Sequence, residues 1–84
     1  MKNNNGLSVI IPAYNEEKVI DKCLKAVFKI KKLKLNVIVV DDGSIDETSK
    51  IVSKYPCKLI KNKKNIGAAL SKNRAIKLAK FNYI

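Results

Sequence analysis

Two short aliphatic runs most constrain the fold of this chain. Residues 9–11 (VII) and 37–40 (VIVV) are apolar at every position, so a strand formed at either place must be buried on both faces. Both runs are far shorter than the ~20 residues that a membrane span needs. Strands buried on both faces are typical of parallel sheets that carry helices on either side. The runs therefore predict a parallel α/β sheet and no membrane-spanning segment.

The rest of the chain alternates strand patterns with helix patterns. Residues 7–11, 35–40 and 57–60 have the character of strands, and residues 16–31, 47–54 and 66–80 carry apolar residues at helical spacing. The order is βαβαβα, and residues 82–84 resemble the start of a fourth strand. This order predicts a Rossmann-like α/β fold of three layers with right-handed crossovers. No internal repeat or linker divides residues 1–84, so we expect a single unit.

Charge narrows the possible partners without choosing among them. Eighteen Lys and Arg residues against seven Asp and Glu residues give a formal net charge of +11, which favours phosphorylated substrates, nucleic acid or an anionic membrane surface. One predicted helix face and the segment after it are basic: Lys18, Lys22, Lys25, Lys29, Lys31, Lys32 and Lys34. A solvated outer face explains such a run most simply, and a polyanion-binding face is the alternative. The few aromatic residues are not interleaved with these lysines, which argues against a nucleic-acid partner.

Polar residues follow the first two predicted strands. In parallel α/β sheets, ligands bind beyond the carboxyl ends of the strands. Residues 12–17 (PAYNEE) follow the first strand and residues 41–47 (DDGSIDE) follow the second. Helix capping accounts for several of them, because Asn15 can cap the first helix and Ser44 and Glu47 have the spacing of a capping box.

Capping does not explain Asp41 and Asp42. Two adjacent carboxylates at the end of a buried strand repel each other and are costly to desolvate, so they require hydrogen-bond donors or a cation. The loop after the first strand lacks the glycines of a dinucleotide-binding loop or a P-loop. We therefore expect a pocket whose acids accept the hydroxyl and N–H donors of a nucleoside, with the phosphates left to a metal or to basic side chains.

Three motifs, taken in order, carry a family resemblance. They are SVIIPAYNEE at residues 8–17, VVDDGS at 39–44 followed by DET at 46–48, and NIG at 65–67 leading to Lys72 and Asn73. Together they resemble the amino-terminal part of a family 2 glycosyltransferase with the GT-A fold, and the resemblance covers nearly the whole chain, residues 7–84. It implies a partial GT-A fold and a nucleoside-diphosphate sugar, linked to UDP or GDP, as the ligand.

The resemblance implies a specific set of substrate-binding residues: Pro12, Ala13, Tyr14, Glu16, Asp41, Asp42, Gly67 and Lys72. Tyr14 would lie near the base, Glu16 near the base or the ribose, and Asp42, or Asp41 beside it, on the base. Gly67 would open the third helix close to the nucleotide. Lys72 stands where relatives often carry Arg, near the base or the phosphates, and the exchange loses a planar bidentate fork.

The resemblance also implies parts that lie outside this sequence. Members of the family carry a later D-x-D motif that holds Mg²⁺ or Mn²⁺ on the diphosphate, and a still later carboxylate that serves as general base. Since the sequence reaches only the start of the fourth strand, we expect no catalytic and no metal-binding residue in it. The chain is then an inactive piece, trimmed or truncated, of an inverting transferase that acts on an acceptor hydroxyl or a lipid phosphate.

Two alternatives to this enzyme portion follow from the residues. One is a non-catalytic nucleotide-binding or regulatory module, and the other is a basic polyanion-binding domain. Because no hydrophobic signal segment follows the basic start, we expect a cytoplasmic location. The family resemblance adds possible membrane association of the full-length protein and leaves the acceptor unidentified. Because the fourth strand is only begun, we expect the first strand to expose an apolar edge and the chain to self-associate.

Overall fold

The computed structural model describes the backbone of residues 3–84 and the side chains of residues 6–84. Its elements are β1 (Asn3–Ala13), α1 (Ile20–Phe28), β2 (Lys34–Asp41), α2 (Thr48–Val52), β3 (Lys58–Lys61), α3 (Ala68–Ile76) and β4 (Phe81–Tyr83). The four strands are all parallel and lie in the order β3-β2-β1-β4. The predicted fold class and element order are confirmed. Within residues 3–84, no helix combines the length and hydropathy that crossing a bilayer would require.

The register of the central strands brings two loops together. β1 and β2 pair from Gly6↔Lys34 to Ala13↔Asp41, so their carboxyl ends finish side by side. The backbone N–H of Asp42 continues this pairing by donating to the carbonyl of Ala13 at 2.8 Å. β2 and then β3 lie on one side of β1, whereas β4 lies on the other side. Such a change of direction marks the place where α/β sheets bind ligands.

The side chains of β2 alternate between two cores. Val37 and Val39 pack in one cluster with residues of α1 and α2, whereas Ile38 and Val40 pack with Ala75 of α3 on the opposite face. Neither face of the strand meets solvent, which explains why the run has no polar position. The three predicted layers are therefore present, with α1 and α2 on one side of the sheet and α3 on the other.

Buried polar groups fix β4 against β1. The hydroxyl of Ser8 donates to Asn36 Oδ1 at 2.9 Å and accepts from the N–H of Phe81 at 3.0 Å. Asn36 Oδ1 also accepts from the N–H of Lys80 at 3.0 Å, and the N–H of Ile84 donates to the carbonyl of Ser8 at 3.1 Å. The expectation that β1 lacks a neighbour is thus wrong, because this short strand covers it. On that side of the described sheet, the open edge belongs to β4.

The helices begin later than their apolar patterns predict. α1 occupies Ile20–Phe28 and not residues 16–31. Asn15 does not cap it: this residue lies in the left-handed region at φ 51°, and its side-chain oxygen accepts from the N–H of Ile45. Ser44 does not cap α2 either, since the residue before that helix is Glu47. The polar residues of both loops bind each other, as the site geometry shows.

Candidate functional site

A pocket of about 250 Å³ opens at the carboxyl ends of β1 and β2. The end of β1, the loops after β1, β2 and β3, and the first residue of α3 line it, through Pro12, Ala13, Tyr14, Glu16, Asp42, Asn65, Gly67 and Ala68. Ala13 and Asp42 are buried, whereas Tyr14 is 47% exposed. The pocket therefore combines a buried carboxylate with an accessible aromatic ring.

Asp42 holds the loop after β3 in place. Its Oδ1 accepts from Asn62 Nδ2 at 2.9 Å and from the N–H of Ile66 at 2.8 Å, and its Oδ2 accepts from the N–H of Gly67 at 2.9 Å. The hydrogen bond from Ile66 is the largest cause of a lowered pKa at Asp42, and it outweighs the opposing effect of burial. The chain itself thus supplies donors that the sequence argument assigned to a ligand. A hydrogen bond from the Ser71 hydroxyl also contributes to the lowered pKa of Asp42.

Asn62 connects Asp42 to α3. Its buried amide nitrogen donates both to Asp42 and to Ser71 Oγ, each at 2.9 Å, while its Oδ1 accepts from the guanidinium of Arg74. Its backbone N–H donates to the carbonyl of Asp41 at 2.8 Å. Sequence reasoning missed Asn62. The available signal was an amide two positions after the third strand pattern, just as Asp42 stands two positions after the second.

Asp41 does not line the pocket. Its side chain is buried, and Oδ1 accepts from the N–H of Ser44 at 2.9 Å, which closes the turn after β2. Gly43 lies in the same turn at φ 77°, where an added Cβ would stand 2.7 Å from the backbone carbonyl carbon of Lys64. The two neighbouring carboxylates therefore have different surroundings, with Asp42 at the pocket and Asp41 in the turn.

The loop after β2 also fixes the loop after β1. Four hydrogen bonds, defined here as the loop latch, join them: Asn15 N–H to Ser44 Oγ at 2.8 Å, Ile45 N–H to Asn15 Oδ1 at 3.0 Å, Glu16 N–H to Thr48 Oγ1 at 2.9 Å, and Glu17 N–H to Asp46 Oδ2 at 3.2 Å. Burial opposes ionisation of Asp46, but hydrogen bonds from Thr48 and Glu17 prevail and lower its pKa. The latch sets the position of residues 14–17 at the mouth of the pocket.

Of the two predicted residues at or near α3, Gly67 lines the pocket and Lys72 does not. Gly67 precedes α3 at φ 95°, and no atom would lie within 4 Å of a Cβ added to it. Lys72 is exposed on α3, one helical turn beyond the lining residue Ala68, and thus on the same face of the helix. Six of the eight predicted residues line the pocket, and Asp41 and Lys72 are the two that do not.

The described residues do not form a metal site. Within residues 3–84, no three Asp, Glu, Cys or His side chains converge on one point. No step is therefore assigned to a metal held by these side chains.

Comparison with known proteins gives the class of this chain. The family model described as glycosyl transferase family 2 matches residues 8–84. The chain belongs to this family. The match covers every element that lines the pocket, and the structural neighbours confirm that the fold is a partial GT-A fold.

Three relatives show the extent of the similarity. Dolichyl-phosphate beta-glucosyltransferase of Homo sapiens is 43% identical over 76 residues, which cover 81% of this chain and 23% of that protein. The crystal structure of Staphylococcus aureus TarS 1-349 in complex with UDP-GlcNAc has a TM-score of 0.84 and 35% identity, covering 94% of this chain and 26% of TarS. Mannosyltransferase PcManGT from Pyrobaculum calidifontis, in complex with GDP-Man and Mn²⁺, has a TM-score of 0.82 and 28% identity, covering 92% and 25%. The matched part covers between 9% and 36% of the length of the curated relatives.

Proposed function

We propose that this chain is the nucleotide-binding part of an inverting glycosyltransferase that transfers a sugar from a UDP- or GDP-linked donor to an acceptor hydroxyl or a lipid phosphate. The pocket at the carboxyl ends of β1 and β2 carries the proposal, because six of the residues assigned to the nucleotide line it. The neighbours solved with UDP-GlcNAc and with GDP-Man support this class of donor.

Each wall of the pocket has a role in the proposal. The exposed ring of Tyr14 stacks on the base, and Glu16 accepts a hydrogen bond from the ribose or the base. Asp42, held ionised by the loop after β3, accepts a base N–H at Oδ2, which has Gly67 as its one backbone donor. The volume of about 250 Å³ lies just below the ~300–1,000 Å³ typical of small-molecule sites, so we assign the nucleoside to it.

Sugar transfer requires groups that this proposal locates outside the described residues. Mg²⁺ or Mn²⁺ would neutralise the diphosphate leaving group, in keeping with the Mn²⁺ present in PcManGT. A carboxylate elsewhere would deprotonate an acceptor hydroxyl, whereas a lipid phosphate would attack through an oxygen that is already ionised. Residues 1–84 would then be one nucleotide-sugar-binding unit of a longer cytoplasmic domain, able to bind the donor but not to transfer the sugar.

A titration of UDP, GDP and their sugar conjugates into the chain, followed through amide chemical shifts, tests the proposal. We expect shifts at residues 13–17, 42 and 65–68. Tyr14→Ala should weaken binding by about tenfold or more, since stacking on a base contributes roughly 1–3 kcal/mol. Tyr83→Ala is the matched control, because Tyr83 is 41% exposed on β4 and does not line the pocket.

Two outcomes would contradict the proposal. One is a folded sample whose amides do not shift with any nucleotide, and the other is an equal loss of affinity in both tyrosine variants. Repeating the titration with and without Mn²⁺ distinguishes binding by these loops from binding that depends on the metal.

A further inference from the structure

Acidic and basic residues separate along the direction of the strands. The seven carboxylates lie near the pocket end, in the loops after β1 and β2, at the end of β2 and in the first turn of α1: Glu16, Glu17, Asp21, Asp41, Asp42, Asp46 and Glu47. At the opposite end, where β2 and β4 begin, residues 29–34 and 77–80 contain no carboxylate and six lysines: Lys29, Lys31, Lys32, Lys34, Lys77 and Lys80. These two segments are defined here as the amino-end patch.

The two segments of the amino-end patch are neighbours in space. The backbone N–H of Lys80 donates to Asn36 Oδ1 at 3.0 Å, although 44 positions separate them. A Cβ added at Gly6 of β1 would lie 2.5 Å from the carbonyl oxygen of Lys34 and 2.8 Å from the ring of Phe81. The starts of β2 and β4 therefore flank the same point of β1, and the segments before them meet at one edge of the molecule.

The amino-end patch also exposes aliphatic side chains among its lysines. Ile30, Leu33 and Leu78 are 41%, 47% and 45% exposed, and all six lysines are exposed. Among the described side chains, the one salt bridge joins Lys25 to Asp21 on α1, at 3.1 Å and outside the patch. No carboxylate of the described chain therefore neutralises the patch.

We propose that the amino-end patch is a docking surface for an anionic lipid bilayer. Lysines near such a bilayer are attracted by its negative surface potential, and aliphatic side chains between them enter the boundary between headgroups and acyl chains. In this orientation the pocket opens on the aqueous side, about 25 Å from the bilayer along the strands. The proposal does not depend on the nucleotide that the pocket binds. It fits an acceptor hydroxyl in the aqueous phase, and it does not fit a lipid phosphate of the same bilayer.

A nucleic acid fits this surface less well than a bilayer does. Residues 29–34 and 77–80 contain no aromatic side chain on which a base could stack. The single arginine of the sequence, Arg74, lies on α3 and donates to Asn62. Exposed aliphatic residues among lysines gain little from a phosphate backbone, whereas a lipid interface accommodates both.

The first test is co-sedimentation of the chain with vesicles of phosphatidylcholine that contain phosphatidylglycerol. The variant K29Q/K31Q/K32Q/K34Q should bind about 600-fold more weakly, because each of the four lysines near an anionic surface contributes about a fivefold factor. The control K50Q/K58Q/K61Q/K63Q removes the same charge from exposed positions outside the patch. This control variant should lose much less of its affinity for the vesicles. Circular dichroism melting verifies that both variants remain folded.

A second pair of variants separates lipid insertion from binding to any polyanion. I30S/L33S should weaken vesicle binding, while I45S/L70S, which changes two exposed aliphatic residues outside the patch, should leave it unchanged. Equal losses in the two lysine variants would overturn the proposal, because binding would then follow net charge. It would also be overturned by duplex RNA binding that requires the patch lysines but not Ile30 and Leu33, or by no vesicle binding at physiological salt.

Discussion

Asp42 faces the pocket, but its strongest interactions are with its own chain. Donors from Asn62, Ile66 and Gly67 bind its two oxygens, so the residue both shapes the loop after β3 and presents a negative charge to the pocket. Replacing it to test nucleotide binding would therefore disturb the pocket wall as well. Tyr14, whose ring is exposed at the rim, is the better residue to change for that purpose.

The ionised form of Asp42 should make stability depend on pH. The hydrogen bond from Ile66, followed by that from Asn62, lowers the pKa of Asp42 below the ~3.9 of an unfolded aspartate. A carboxyl whose pKa is lower in the folded state adds to the free energy of unfolding above its unfolded pKa, and this contribution disappears as pH falls through the folded pKa. We expect the urea concentration at the unfolding midpoint to decrease as the pH drops below about 4. The variant Asp42→Asn should be less stable at neutral pH, and its stability should depend less on acid.

Glu17→Gln is the control for this experiment, because it removes an exposed carboxylate that faces solvent. It should keep the acid dependence of the wild-type chain. Identical acid dependence in Asp42→Asn and the wild type would show that the carboxylate does not stabilise the fold in the way its hydrogen bonds indicate.

Gly43 and Gly67 form a natural pair for testing backbone strain against crowding. Both have positive φ values, 77° and 95°, but a Cβ at Gly43 meets the backbone of Lys64 whereas one at Gly67 meets nothing within 4 Å. Gly67→Ala should lower the free energy of unfolding by about 1–3 kcal/mol from backbone strain alone, because φ 95° with ψ 154° is a conformation almost restricted to glycine. Gly43→Ala should cost about 2–4 kcal/mol, since crowding adds to that strain. Urea denaturation of both variants measures the difference, and equal losses would contradict the crowding.

At the scale of the elements, the sequence predicts the strands better than the helix ends. Residues 37–40 could be assigned because continuous apolarity has one explanation in a short segment, burial on both faces. The start of α1 could not be predicted, because the polar residues before it have two uses. Asn15 and Ser44 have the chemistry of helix caps. They instead form a hydrogen bond with each other between two loops, although 29 positions separate them in the sequence. A single sequence contains no signal that distinguishes local capping from such a long-range contact.

In the candidate site, too, the sequence predicts some features and not others. The sequence places the acids and the first loop at the ends of adjacent strands, because parallel strands end at one edge of the sheet. It does not reveal that Asp41 turns away from the pocket or that Asn62 supports Asp42, because both depend on side-chain directions within loops. Loop geometry is set by hydrogen bonds between segments, which no local pattern encodes.

Thr48 offers a test of the loop latch. It is fully buried, and its hydroxyl oxygen accepts from the N–H of Glu16. Thr48→Val keeps the shape but leaves that N–H without an acceptor, so the free energy of unfolding should fall by about 1–2 kcal/mol. Hydrogen exchange at the Glu16 amide should also become much faster. Thr48→Ser retains the hydroxyl and should keep the amide protected; exposure of the amide in both variants would assign the effect to the lost methyl contacts instead.

At the scale of the whole molecule, the sheet is asymmetric at its two edges. β3 has four residues and begins with Lys58, an exposed lysine of the kind that protects strand edges. β4 has three residues, and its end exposes Tyr83 and Ile84 at 41% and 70%. Pairing between two copies would therefore occur through β4. The sequence alone predicts pairing through β1. So short an edge supports only weak association.

We expect the chain to form a reversible dimer through β4, with a Kd on the order of 1 mM because few hydrogen bonds are gained. Added salt should strengthen this dimer, since screening reduces the repulsion between two chains of net charge +11, whereas salt should weaken vesicle binding. Tyr83→Lys with Ile84→Lys should abolish it in sedimentation equilibrium. Ile45→Lys with Leu70→Lys adds the same charge away from the edge and should weaken the dimer only slightly. A monomer at every concentration, or equal effects of the two pairs, would show that β4 is not an associating edge.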